Sequence, residues 1–190
     1  MAKLYKQSSH INIAIAVLSM AMFISCKNSV SEVNDFLSDK NLPIGESSDL
    51  KHVYKDSGLV IFRLNTPLLH DFSNREEHPY SEYPKGVEIT SIDPKKNDST
   101  TIRSDYARSY NKTQVSELIG RVKIINHSRN YILKTEQLYW DQKTNYIFTE
   151  ELFTMLIDGD TVLGKGFESK IDLTNWILKK IKGNLKFEEN

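Results

Sequence analysis

The chain has 190 residues, with 25 Lys and Arg against 25 Asp and Glu. That balance lacks the basic excess or stripe of a nucleic-acid binder. The single cysteine excludes an internal disulfide, so stability must come from packing in a chain long enough for one domain with a real core.

The first segment reads as an address. Lys3 and Lys6 precede an apolar run from Ile11 to Ile24, about 14 residues. A spanning helix needs roughly 20, so the run suits the apolar region of a secretory signal peptide over residues 1–25. The Phe23-Ile24-Ser25-Cys26 sequence resembles the lipobox of bacterial lipoproteins, although Phe23 stands where Leu is more usual. In a lipobox the cysteine takes a diacylglycerol and becomes the first mature residue. Cys26 is therefore the expected lipidation site; the other reading is an uncleaved membrane anchor. Both export the protein from the cytoplasm. Residues 26–49 are polar and read as a tether.

The folded part is expected over 50–182, with 183–190 as a tail. The Asp56-Ser57-Gly58 turn precedes an apolar strand, Leu59 to Leu64, which Pro67 ends or edges. Ser73 to Gly86, with Pro79 and Pro84, reads as a polar loop. Val87 and Ile89 alternate with polar neighbours, Asp93 to Thr100 reads as a turn, and Ile102 begins another strand. Leu118, Gly120, Val122 and Ile124 then fall on every second position, followed by Tyr131 and Leu133, Leu138 and Trp140, and Tyr146 to Phe148. Leu152 to Ile157 is apolar on both faces, and Asp158-Gly159-Asp160 is a hairpin turn before Val162. Trp176 to Ile181 reads as a last strand or a helical turn. Short strands at such intervals, separated by turns, predict an all-β sandwich or barrel. A faint repeat relates Ser104–Gln114 to Thr135–Asn145, as expected of a reiterated β unit.

Catalytic and metal signatures are weak. His10, His52, His70, His78 and His127 show no paired ligand spacing, and the His70-Asp71 and Glu76-Glu77-His78 clusters read as a solvated loop. The glycine-spaced run from Gly159 to Gly166 lacks the ending of a phosphate loop. Tyr139 and Trp140 offer faces for stacking a sugar, but core or sheet packing is the commoner use.

An ordered series of motifs points further. Gly120-Val122-Ile124 is followed by Leu133-Thr135-Leu138-Trp140, then Ile147-Thr149, then Gly164-Gly166-Phe167 before Asp172-Leu173. The series resembles the LptC family, the periplasmic bridge component of lipopolysaccharide export, most clearly from Ile102 to Leu173. Two departures stand out. Lys170 replaces an acid after Ser169, and a lipid on Cys26 replaces the uncleaved helix of familiar members.

The resemblance implies an open β-jelly roll (OstA/LptA-like) of two antiparallel sheets, with an apolar interior that carries lipopolysaccharide acyl chains. Val122, Ile124, Leu133, Leu138, Trp140, Ile147 and Leu152 are the expected groove lining. Each methylene exposed to water costs about 0.8 kcal/mol, so a lipid crossing an aqueous gap gains from such a path. The role requires no catalytic residue and no cofactor. The implied partners are lipopolysaccharide, the inner-membrane Lpt ABC transporter and an LptA-like periplasmic jelly roll joined by edge-strand pairing. The candidate edges are Leu59 to Leu64 and Asp172 to Ile181. The implied location is the periplasmic side of the inner membrane, anchored through Cys26. One alternative is a glycan-binding surface lipoprotein with a closed β-sandwich. Another is a hydrolase with its site in the 73–86 segment.

Overall fold

The computed structural model describes residues 41–182. Cys26, the segment before it and most of the tether lie outside these residues. The described part is all β: β1 (Gly45–Asp56), β2 (Leu59–Phe72), β3 (Tyr80–Tyr83), β4 (Val87–Asp93), β5 (Asp98–Ser104), β6 (Tyr106–Tyr110), β7 (Val115–Asn126), β8 (Tyr131–Asp141), β9 (Tyr146–Ile157), β10 (Asp160–Lys170) and β11 (Ile177–Lys182). All belong to one antiparallel sheet.

Strands β3 and β4 act as one interrupted strand, as do β5 and β6. β4 and β3 pair successive parts of β2, while β5 and β6 pair successive parts of β7. Every long strand thus lies beside its chain neighbour, in a simple up-and-down meander. The turns at 111–114 and 142–145, where the two repeat copies end, lie together, with Gln142 N–H donating to the Gln114 carbonyl at 2.9 Å.

The strands break at matching places. β3 gives way to β4 at Pro84–Gly86, and β5 to β6 at Asp105. Register slips fall between Ile119 and Val122, Thr135 and Tyr139, and Lys165 and Phe167. An extra residue bends its strand. Aligned across the sheet, these bends fold it over on itself, so one face of each half turns inward. The Phe62 and Trp140 rings, from opposite halves, stack at 6.5 Å. A single core joins Leu118, Leu138 and Ile147 of one half to Ile102, Ile124 and Met155 of the other.

Several sequence expectations change. Ser73 to Gly86 is not wholly loop, because Tyr80–Tyr83 pairs with both β2 and β6. Pro67 does not end its strand. It sits on the bend, where Thr66 Oγ1 donates to the Gly86 carbonyl at 2.8 Å and β2 runs on to Phe72. β1 starts at Gly45, before the boundary at residue 50. Leu59 to Leu64 is no edge, since β1 pairs with it on one side and β4 on the other. Among the described residues the free edges are β1 and β11, and Trp176 to Ile181 ends in strand rather than helix.

Candidate functional site

Cross-strand pairing builds a continuous row on the inner face: Leu64 opposite Ile89, then Ile102, Ile124, Leu133, Met155 and Val162. Partners in register point to the same side of a sheet. The row is buried throughout, and Ile102, Ile124, Leu133 and Met155 have no exposed surface. The other half contributes Ala107, Leu118, Leu138, Trp140, Ile147 and Phe167, all buried.

Six of the seven expected groove residues therefore share one interior: Val122, Ile124, Leu133, Leu138, Trp140 and Ile147. Leu152 does not join them. It is 72 % exposed, because its odd separation from Ile147 and its place beside Phe153 turn it outward. Leu133 and Leu138 are also an odd number apart, yet both face in, because the slip between them resets the alternation. Tyr139 faces outward and stacks on Phe148 at 5.2 Å, whereas Trp140 is buried.

The interior is closed at the tips of the two halves. The Asn126 amide donates to the Asp98 carboxylate at 2.8 Å and to the Asp172 carbonyl at 3.1 Å. The turn after β10 buries Ile171 and Leu173 against the core. Leu173 does so at a φ of 57°, a left-handed conformation that costs a branched residue energy and is held here by its burial. Sequence reading missed Asn126, Phe153, Phe167 and Leu173 as interior parts. Only Phe153 and Phe167 carry a visible signal, apolar alternation.

A polar cluster clasps the strands near the β1 edge. Tyr106 donates to the Glu82 carboxylate at 2.5 Å and Arg108 at 3.2 Å; His70 lies 3.6 Å from Glu82 and 3.7 Å from Glu46 of β1. Burial pushes the Glu82 carboxyl up, but hydrogen bonds from Tyr106 and Arg108 and the Arg108 charge outweigh it, leaving it below the ordinary value. Burial and the bond to Glu82 push the Tyr106 hydroxyl up to about 12. A lowered carboxyl stabilises the fold above its ordinary value, and that contribution disappears as pH falls through the folded value. The Tyr106 contribution is present below pH 10 and disappears as pH rises toward 12. Urea midpoints measured against pH are expected to decline below about 4.5, the ordinary Glu82 value, and Glu82→Gln is expected to flatten that limb.

Two comparisons bear on identity. No curated protein matches the chain. A family model described as "Lipopolysaccharide-assembly, LptC-related" matches residues 13–184. That span takes in every strand of the folded meander, and membership carries a role in lipopolysaccharide assembly and transport at the periplasmic side of the inner membrane. The chain belongs to the LptC family.

Proposed function

We propose that the chain receives lipopolysaccharide from the inner-membrane ABC transporter and passes it along its apolar interior to an LptA-like periplasmic jelly roll. The observation that carries this reading is the unbroken inner row from Leu64 to Val162. It runs across the strands, toward both free edges, as a path shared with neighbouring sheets would need to. An edge strand offers unpaired backbone groups for a partner's strand. β1 and β11 are those edges, and β11 exposes Ile177 and Ile181 beside its free backbone. Lipid on Cys26 anchors the domain in this reading.

Among the described residues, no strand pairing joins the two halves away from the bend; side-chain packing, the Asn126 contacts and the Lys96–Asp172 ion pair at 3.8 Å hold them. Acyl chains enter by parting the halves and replacing the contacts of Leu173 and its neighbours. Lipid then restores the apolar burial that the closed interior has without it.

The test is photocrosslinking in living cells, with a probe at Ile124, Leu138 or Ile147 and detection by anti-lipopolysaccharide blot. Crosslinks at these sites, absent at Arg121 and Lys123, support the groove. No crosslink from folded protein would mean a permanently sealed core and would favour the glycan-binding reading, for which the outward Tyr139–Phe148 stack supplies aromatic surface.

A further inference from the structure

The outward face of the half containing the C-terminal part of β7 concentrates unneutralised cations. Register places Arg103 opposite Lys123, Lys123 opposite Lys134, and Lys165 opposite Lys180. Like charges directly opposite each other weaken strand pairing. Close by, charges of opposite sign pair instead: Lys179 bridges Glu150 and Glu168. Here Arg103 has Glu88 at 2.5 Å and Arg121 has Asp105 at 2.7 Å. Lys123, Lys134, Lys165 and Lys180 have no carboxylate partner among the described residues.

These four lysines border one outward cavity of about 840 Å³. Between them lie Leu152, opposite Lys165, and Leu163, 47 % exposed. Unpaired lysines around exposed leucines complement an anionic headgroup and the glycerol and acyl atoms beneath it. An acidic peptide would satisfy the lysines but leave the leucines in water.

We propose that this outer face seats on an anionic phospholipid surface, with Lys123, Lys134, Lys165 and Lys180 on the phosphates and Leu152 and Leu163 at the apolar boundary. The contact is separate from the interior path. It holds the domain against the bilayer on its polar side while the interior stays free for cargo.

The experiment places a fluorescent amino acid at position 152 of the full chain, reconstituted in vesicles containing brominated lipids. Quenching is expected in vesicles rich in phosphatidylglycerol and not in phosphatidylcholine alone. The same probe at Leu59, exposed at the start of β2, is expected to stay unquenched. Each lysine near such a surface is worth about fivefold, so K123Q/K134Q/K165Q together should weaken the contact on the order of 100-fold. Arginine at the same three positions should retain it. Lys134→Glu, which relieves the repulsion at Lys123, should abolish the quenching while the thermal midpoint holds or rises. Equal quenching in neutral vesicles, quenching that survives the triple variant, or none in anionic vesicles overturns the proposal. Abolition by millimolar inorganic phosphate also overturns it, since the site would then be one for free anions. Interior crosslinking to lipopolysaccharide reads out separately, so either idea can fail alone.

Discussion

Replacing Ile124 with alanine is expected to lower the unfolding free energy by about 3 kcal/mol. Ile124 has no exposed surface and lies between Ile102 and Leu133 in the inner row. Truncation removes buried methyl and methylene groups and leaves a void that sheet backbones on either side cannot close. Leu152→Ala is the informative comparison. The two residues have similar hydrophobicity and lie in neighbouring parts of the same meander. Yet Leu152 is largely exposed, and its truncation should change stability by no more than about 0.5 kcal/mol. Urea denaturation of both variants measures the difference. Equal losses would mean that the inner and outer faces have been assigned wrongly.

The second large effect is expected at the bend. Gly86 has a φ of 87°, and a Cβ there would lie 2.7 Å from the Ser104 carbonyl oxygen. That oxygen belongs to the adjacent strand at the point where both strands break, so it cannot swing aside as a side-chain tip would. Gly58 has a φ of 84°, with nothing within 4 Å of the same imagined atom. Gly58→Ala should therefore cost about 1 kcal/mol, from the left-handed backbone alone. Gly86→Ala should cost about 3 kcal/mol, from backbone and collision together. Equilibrium unfolding of the two variants separates the terms. A Gly86 variant no worse than the Gly58 variant would show that the fold line is soft rather than packed.

Both experiments probe features that differ in how visible they are along the chain. Alternation in Leu118, Val122 and Ile124 is enough to indicate strand, because side chains on a strand point alternately to its two faces. Turn residues such as Ser57-Gly58 and Asp158-Gly159 mark the hairpins, because they accept positive φ at low cost. The ordered motifs carried the family as well, and the family match spans the whole described region.

The sequence by itself thus determined an all-β chain, its strand-forming segments, its apolar face over most of its length and its kinship. Tertiary structure decided where each alternation resets. A one-residue slip turns every later side chain to the other face, and only pairing with the neighbouring strand shows that the slip exists. That is why Leu133 and Leu138 both lie inside although they are an odd number of residues apart. Tertiary structure also decided which strands are edges, since covering Leu59 to Leu64 depends on β1 folding back over a polar-looking stretch. It brought Asn126 to Asp172 and aligned Lys123 with Lys134 and Lys165 with Lys180. These are relations between strands, set by register and by the shared bend, and no single stretch of sequence contains them.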